Sequence, residues 1–333
     1  MSTPPPPHRH RMFRDEHADP GALRGTTVAI LGYGLLGRPL ALNLRDTLEA
    51  RVIIGSDDDP SSRQASDDGF HVTTLAEAAG EADVALVLVP DEVQPAVLAR
   101  IAPRLRARTL LVFASGYALA NGLVVPATDL DVGLFAPRMG GDAIRERFLA
   151  GRGYLSYVGV EQDVTGTAWT RLLAIAAGAG SLRQGALEMS AREEAVLDLY
   201  VEQACGPWLG AAILSAFHVG VEAGLSPLGL LLEMYLSGEM SETFSQMARD
   251  GFLSSSRAHG YAAAFGGMTR TFAIDREGMA AHMREVLTEI ENGGFARALQ
   301  DEFEAGYPCR AFIEQVIGED DLLSRTEAVF RAM

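Results

Sequence analysis

Three groups of residues in this sequence have side-chain types and spacings that could do chemistry. The first is a G-x-G-x-x-G pattern at residues 32–37, which is typical of loops that bind a dinucleotide. The second is a run of three carboxylates, Asp57–Asp59. The third is the pair Asp198 and Glu202, four residues apart. Carboxylates in such places accept hydrogen bonds from a ribose or bind a divalent cation.

The glycine pattern lies between a predicted strand and a predicted helix, where a dinucleotide-binding loop needs it. Val28–Leu31 is a short apolar run typical of a buried strand, and a helical pattern follows. In this setting Gly32 makes the tight turn and Gly34 lets the backbone approach a diphosphate. Gly37 lets the helix pack closely on the strand. The alternative is a glycine turn with a purely structural role.

The three aspartates follow the second predicted strand, Arg51–Gly55. An acidic residue there accepts hydrogen bonds from the adenosine ribose and repels a 2′-phosphate. The run therefore favours NAD over NADP, with Asp57 as the ribose ligand. The alternative is an acidic turn that caps the next helix.

Further apolar runs alternate with helical patterns up to about residue 180, and this alternation predicts a parallel, doubly wound sheet. Beyond it the pattern is helical. We therefore predict an α/β fold, a Rossmann-type sheet followed by an all-α domain. The predicted divisions are a disordered tail at 1–20, a dinucleotide-binding domain at 21–189 and a helical dimerisation or substrate domain at 190–333. The predicted strands are 27–31, 51–55, 71–72, 82–90, 109–113 and 131–136.

Composition excludes several classes of function. The net charge of −16 argues against a nucleic-acid partner, which needs a basic surface. All 28 basic residues are arginines, so lysine Schiff-base chemistry is excluded. The two cysteines make no disulfide framework, and we expect both to be small buried apolar residues. The apolar stretch 207–236 is interrupted by polar residues and falls short of the ~20 residues of a membrane span. We expect a cytoplasmic protein with a small-molecule substrate and no membrane partner.

Asp198 and Glu202 share one face of a predicted helix because they are four residues apart. Oxygen ligands on a rigid face are what Mg²⁺ selects. A solvated acidic face is the common explanation of such a pair, but the apolar neighbours Leu197, Leu199 and Val201 indicate a partly buried helix.

The ordered set of motifs resembles the short-form (class I) ketol-acid reductoisomerase family, from about residue 12 to the end of the chain. The motifs are GYGLLG, LVLVPDEVQ, VFASGYAL, DVGLFAPRMGG, GRGYLSYVGVEQDVTG and EEAVLDLYVEQACG. The resemblance implies a Rossmann domain and a knotted helical domain intertwined with a second subunit. It also implies NADPH, two Mg²⁺ ions and a 2-hydroxy-3-oxo acid, on which an alkyl migration precedes hydride transfer.

The family's binding positions are carried over residue by residue. The implied cofactor-binding residues are Gly32, Tyr33, Gly34, Leu35, Leu36, Gly37, Asp57, Pro90, Asp91, Glu92, Val93 and Gly141. The resemblance assigns the first metal-binding pair to Asp198 and Glu202. Glu233 lies near a position of the second pair and is the third candidate metal ligand.

The catalytic positions depart from the family's pattern. Ser115 replaces a histidine, and a hydroxyl cannot buffer a proton near neutrality as imidazole does. Arg138 replaces a lysine, which keeps the charge but cannot transfer a proton. The second carboxylate pair is not reproduced, because Ser237 lies four residues after Glu233. Asp57 takes the place of an arginine, which favours NADH.

These departures predict a divergent reductoisomerase-like enzyme that reduces without alkyl migration, since migration depends on two metal ions. Ser115, Arg138, Asp198 and Glu202 are the candidate catalytic residues, with at most one Mg²⁺ ion. NADH is the favoured cofactor, NADPH is the alternative, and we expect a homodimer or a multiple of dimers. Three alternatives remain: an authentic ketol-acid reductoisomerase, a reductase that uses no metal, and a nucleotide-binding protein without catalysis.

Overall fold

The computed structural model describes residues 10–255, 260–318 and 321–333. Residues 1–9 of the predicted tail lie outside that part of the chain. Residues 10–20 do not form a tail, because Met12–Phe13 is the first strand (β1) of the sheet. Phe13 is buried, and its ring centroid lies 5.2 Å from that of Trp169. The predicted tail is therefore too long at its C-terminal end.

The first compact unit ends at Leu197 and contains one nine-stranded sheet. After β1, its strands are β2 Thr27–Leu31, β3 Arg51–Gly55, β4 His71–Thr73, β5 Val84–Val87, β6 Leu110–Phe113, β7 Asp131–Pro137, β8 Ser156–Gln162 and β9 Ala186–Glu188. The strand order is β1-β9-β8-β7-β6-β5-β2-β3-β4. The segment from β4 to β7 is parallel throughout and has the order of a Rossmann sheet. The predicted fold class is confirmed.

Three strands extend this sheet beyond the Rossmann order, and the sequence patterns did not predict them. β8 pairs antiparallel with β7, β9 pairs parallel with β8, and β1 pairs antiparallel with β9. The sheet is therefore mixed at this end.

Helices cover both faces of the sheet. Apolar residues of α1 and α7 pack in the core with Val28 and Ile30 on one face, whereas those of α3 and α4 pack with Ala29 and Leu31 on the other. The helices of this unit are α1 Gly37–Thr47, α2 Pro60–Asp67, α3 Leu75–Glu81, α4 Gln94–Ile101, α5 Tyr117–Ala120, α6 Asp142–Leu149, α7 Ala168–Gly178 and most of α8 Ala191–Tyr200, which ends in the second unit.

In the second unit, Asp198–Met333, all regular elements among the described residues are helices, joined by turns. Its helices are α9 Gly206–Glu222, α10 Pro227–Leu231, α11 Glu239–Asp250, α12 Phe252–Ser255, α13 Tyr261–Ala273, α14 Arg276–Glu291, α15 Gly294–Glu304, α16 Pro308–Gly318 and α17 Leu322–Arg331. Two π-helical turns, Val201–Cys205 and Leu232–Leu236, interrupt this pattern.

The helix that begins with α8 continues into α9. From Ala191 to Glu222 it extends over 32 residues, including the π-helical turn Val201–Cys205, and by length and composition alone it could cross a membrane. This criterion is weak, because core helices of other proteins also meet it. Cys205 and Cys309 are exposed, so the expectation that both are buried is wrong in this chain.

Candidate functional site

The glycine loop after β2 has the geometry that the motif predicts. Gly32 adopts φ +103°, and a Cβ there would lie 2.8 Å from the carbonyl oxygen of Leu88. A Cβ on Gly37 would lie 2.1 Å from the carbonyl oxygen of Gly32. Any side chain at these two positions would therefore displace the loop or the start of α1.

The residues at the loop fit a diphosphate group. A Cβ built on Gly34 meets nothing within 4 Å, so this glycine leaves open space for a ligand to approach the backbone. No side chain caps the N-terminus of α1. The Arg38 N–H donates to the Gly34 carbonyl at 3.1 Å and Pro39 has no N–H, so among the first three residues the Gly37 N–H is the one left for a ligand. The positive end of the helix dipole also favours a bound anion there.

The Tyr33 side chain is turned inward rather than toward a ligand. Only 4% of Tyr33 is exposed, and its hydroxyl donates to Oδ2 of Asp68 at 2.8 Å. Arg38 donates to the same carboxylate through Nε at 2.7 Å. The hydrogen bond from Arg38 is the main cause that lowers the pKa of Asp68. The Tyr33 side chain therefore anchors the glycine loop to Asp68.

Asp57 lies at the carboxyl end of β3 and lines a cleft with the glycine loop. The cleft has a volume of ≈ 180 Å³ and also contains Ser56 and Asp59. Asp59 caps α2 by accepting a hydrogen bond from the Ser62 N–H at 2.9 Å, so the capping interpretation holds for Asp59. Asp57 instead receives the guanidinium of Arg100, a contact that the sequence did not indicate.

A larger cavity of ≈ 460 Å³ adjoins the other side of the glycine loop. Its lining comes from the carboxyl ends of β2, β5 and β6, the edge at which doubly wound sheets bind ligands. The sequence-predicted residues that line it are Gly34, Leu35, Leu36, Pro90, Asp91 and Ser115. Glu92 and Val93 complete the short turn that follows Pro90. Gly141 lies elsewhere in the unit, at the N-terminus of α6 with φ +60°.

Gln94 is a polar residue of this cavity that the sequence analysis did not single out. The residue is 2% exposed, and its Nε2 donates to Oδ1 of Asp91 at 2.8 Å. Its Oε1 has no hydrogen-bond partner among the described residues. A buried acceptor of this kind costs free energy unless a ligand or water donates to it. This orphaned oxygen fits a ligand with an N–H or O–H group in the cavity.

Ser115 belongs to a loop that packs tightly against the start of α8. A Cβ on the next residue, Gly116, would lie 1.9 Å from the carbonyl oxygen of Ala191, so glycine is required there. The Gly116 N–H donates to Oε2 of Glu194 at 2.6 Å. The loop and the helix therefore hold each other in place.

Glu194 connects this loop to Arg138. The guanidinium Nη1 of Arg138 donates to Oε1 of Glu194 at 3.2 Å, and Glu194 is 1% exposed. The Arg138 guanidinium also lies over the ring of Tyr157, 5.0 Å from its centroid. Glu194 thus fixes both Arg138 and the Ser115–Gly116 loop, although the sequence analysis did not identify it. In the sequence, Glu194 is one of several acidic residues on this helix, and no pattern distinguishes it from the others.

The hydroxyl of Tyr117 is held in its neutral form near the same loop. Burial, with a smaller effect of the charges of Asp91 and Glu92, raises the pKa of Tyr117 to about 12. At neutral pH its hydroxyl therefore keeps its proton.

The three candidate metal ligands do not form a cluster. Across residues 10–255, 260–318 and 321–333, no group of three or more His, Cys, Asp or Glu side chains is placed to hold a metal ion. Glu202 lies in the first π-helical turn and Glu233 in the second. Asp198 precedes the first turn, so the predicted α-helical face is not continuous from Asp198 to Glu202. Two carboxylates alone are an incomplete ligand set for Mg²⁺, and we assign no chemical step to a metal ion.

Family comparison gives a single result for both units. The family model described as "Acetohydroxy acid isomeroreductase, NADPH-binding domain" matches residues 22–185. The one described as "Ketol-acid reductoisomerase, C-terminal domain" matches residues 192–333.

Individual relatives agree over most of the chain. The ketol-acid reductoisomerase (NADP(+)) of Haloarcula marismortui is 38% identical over 302 residues, which is 90% of this chain and 86% of that protein. The enzyme of the same name from Saccharopolyspora erythraea is 36% identical over 301 residues, 89% of this chain and 90% of that one. A solved structure of an NADH-preferring ketol-acid reductoisomerase from an uncultured archaeon superposes with a TM-score of 0.90 and 31% identity. That superposition covers 97% of this chain and 99% of the other. The chain therefore belongs to the ketol-acid reductoisomerase family and is an NAD(P)-dependent oxidoreductase.

Proposed function

We propose that this protein uses NADH to reduce the carbonyl or imine group of a small oxo acid or related compound, without alkyl migration. The observation that carries the proposal is the cavity beside the glycine loop. Ser115 lines this cavity, and Glu194 joins the Ser115 loop to the guanidinium of Arg138. These groups can polarise and protonate a small substrate, and none of them requires a metal ion.

Hydride transfer to a carbonyl needs an electrophile and a proton source beside the cofactor. Bound NADH supplies the hydride. Arg138 donates hydrogen bonds to the substrate oxygen and stabilises the negative charge that develops on it. Glu194 and Tyr157 hold the guanidinium in one orientation. As the hydride adds to the carbon, the Ser115 hydroxyl relays a proton from solvent to the carbonyl oxygen, and the product is the alcohol. With an imine the relayed proton goes to the nitrogen, and the product is the amine.

The absence of alkyl migration rests on the second carboxylate pair. Alkyl migration needs two metal ions that polarise neighbouring oxygens. Ser237 replaces one carboxylate of the family's second pair, and a hydroxyl is a weaker ligand for Mg²⁺ than a carboxylate. One ion at Asp198 and Glu202 remains compatible with reduction.

The proposal is tested with two substrates that differ only in whether migration has taken place. The first is 2-acetolactate, and the second is 3-hydroxy-3-methyl-2-oxobutanoate, the ketone that methyl migration produces from it. We expect NADH oxidation with the second compound or with simple 2-oxo acids, and none with the first. Turnover of 2-acetolactate to 2,3-dihydroxy-3-methylbutanoate would refute the proposal.

An authentic ketol-acid reductoisomerase is the second candidate, and the 36–38% identity to enzymes of that name favours it. The same two-substrate assay separates the candidates. If neither compound nor any 2-oxo acid oxidises NADH while NADH binds, a non-catalytic nucleotide-binding role is indicated.

Arg138 provides a direct check on the catalytic assignment. We expect Arg138→Met to lower kcat by about two to three orders of magnitude, the cost of losing one donor at a developing oxyanion. Arg138→Lys should recover part of the rate because it restores the positive charge. NADH affinity should be unchanged in both variants, since the glycine loop is intact.

NADH is the proposed cofactor because Asp57 is the proposed ribose ligand, and its carboxylate would repel a 2′-phosphate. The solved relative with TM-score 0.90 is named as NADH-preferring, which supports this choice. Titration of the protein with NADH and with NADPH tests it, and tighter binding of NADPH would contradict it.

A homodimer or a multiple of dimers is the proposed assembly. Along α9 only Phe217 and Gly220 are buried, whereas Leu214 and Val219 are 51% and 64% exposed. Contiguous exposed apolar side chains on a helix are typical of protein–protein contacts. Sedimentation of a monomer at micromolar concentration would refute this assembly.

A further inference from the structure

One ion pair crosses from the adenosine side of the cleft to a different helix. Arg100 lies near the C-terminal end of α4, 43 residues along the chain from Asp57. Its Nη2 is 2.9 Å from Oδ1 and 3.1 Å from Oδ2 of Asp57. Both oxygens of the carboxylate therefore share one guanidinium nitrogen, and the remaining N–H groups of Arg100 are not used in this contact.

Neither side chain is buried in the protein core, and Asp57 lines the cleft. Arg100 is 46% and Asp57 is 63% exposed, so the pair adds little to the stability of the fold. The ion pair instead changes the net charge beside the cleft that Asp57 lines. The carboxylate repels a 2′-phosphate, and a guanidinium beside it attracts the same group with a geometry suited to phosphate.

The other charges around the cleft do not substitute for Arg100. Asp59 is occupied as the cap of α2, and the positive Arg38 is paired with Asp68. Arg63 on α2 and Arg104 after α4 have no ion pair with Asp57. Among the described residues, Arg100 is therefore the cation held against the proposed ribose ligand.

We infer that Arg100 is a cofactor-specificity residue and is the 2′-phosphate ligand whenever NADPH occupies the cleft. This inference rests on the proposed binding of the adenosine ribose at Asp57. While Asp57 is present, Arg100 offsets part of its charge, so discrimination against NADPH is modest. When the carboxylate is removed, the freed guanidinium binds the phosphate.

The test measures dissociation constants for NADH and NADPH in the full-length protein, for wild type and four variants. The variants are Arg100→Gln, Asp57→Asn, the double variant, and Arg104→Gln as a matched control. Arg104 is an exposed arginine one turn further along, so its loss changes the net charge equally. Melting temperatures measured alongside show whether each variant is folded.

For Arg100→Gln we expect NADPH binding to weaken about tenfold, the effect of one charge-assisted hydrogen bond, and NADH binding to change less than twofold. Asp57→Asn should tighten NADPH binding, and the double variant should lose that gain. Arg104→Gln should resemble wild type. In low salt the Arg100 effect should grow, since screening is weaker.

Two results would overturn the inference. One is that the ratio of the dissociation constants for NADPH and NADH is the same in wild type and Arg100→Gln. The other is that the double variant still binds NADPH tightly. If wild type prefers NADPH, only the proposed NADH preference is contradicted. The inference about Arg100 then requires that Arg100→Gln removes the preference for NADPH. Binding of neither nucleotide by wild type would refute the cofactor site and this inference together.

Discussion

Glu194 is the residue whose removal should affect the site most, because it holds two groups from one buried position. Glu194→Ala leaves the Gly116 N–H without its acceptor, which costs about 1–3 kcal/mol. It also removes the ion pair with Arg138, which is 32% exposed, so that contribution is nearer ~1 kcal/mol. The sum of about 2–4 kcal/mol corresponds to a fall in Tm of roughly 4–16 °C for a domain of this size.

Glu194→Gln separates the two contacts. Its amide oxygen can still accept from the Gly116 N–H, whereas the charge opposite Arg138 is lost. We expect a fall in Tm of only about 2–4 °C, with a loss of about tenfold in kcat/KM as the guanidinium loses its fixed orientation. A role confined to stability would leave kcat/KM unchanged once the protein is folded.

The neighbouring carboxylate provides the matched control. Glu193 precedes Glu194 on α8, and its side chain is 40% exposed. Glu193→Gln should change neither Tm nor kcat/KM. Thermal melts at one protein concentration and NADH-oxidation rates measure both quantities. If Glu194→Gln and Glu193→Gln behave alike, the coupling of Gly116, Glu194 and Arg138 is not what supports the site.

Three further predictions concern the glycine loop, pH and the metal ligands. Gly37→Ala should abolish NADH binding in titrations, because its Cβ would lie 2.1 Å from the Gly32 carbonyl oxygen; NADH affinity within twofold of wild type would contradict this. The Arg38 hydrogen bond lowers the pKa of Asp68, so that stabilisation is complete above the unfolded pKa near ~4 and is lost as pH falls through the lower folded value. The Tm difference between wild type and Asp68→Asn should accordingly be constant from about pH 5 to 8 and shrink below about pH 4; a constant difference at pH 3 would refute it. Asp198→Asn should lower turnover without weakening NADH binding if one Mg²⁺ assists, and full activity in excess EDTA would exclude that role.

Much of the fold could be predicted because its signals are local. Apolar runs such as Val28–Leu31, each followed by a helical pattern, are sufficient to predict the six parallel strands from β2 to β7. β9 was missed because it has only three residues, and β8 because its apolar residues alternate with polar residues and a glycine instead of forming a run. Their pairing depends on contacts distant in sequence, such as Tyr157 with Leu187.

The site was predictable where a backbone motif specifies it and not where tertiary contacts do. The glycine loop can be predicted from its own sequence and the segments on either side of it. Glu194 differs from the exposed Glu193 only because the start of α8 packs on Gly116. Arg100 reaches Asp57 because α4 brings them together, and no spacing in the sequence encodes that distance. The π-helical turns that contain Glu202 and Glu233 likewise follow from packing rather than from a 3.6-residue pattern.

The two edge strands of the nine-stranded sheet affect how readily this protein aggregates. Long unpaired edge strands recruit strands from other chains, and short edges reduce that hazard. One edge here is β4, with three residues, and the other is β1, with two. Removal of residues 10–14 would uncover the backbone of β9 and the ring of Trp169 together. An N-terminal truncation chosen to discard a presumed tail would thus create an adhesive edge, and precipitation of such a shortened protein would be a consequence of the cut rather than of a failure to fold.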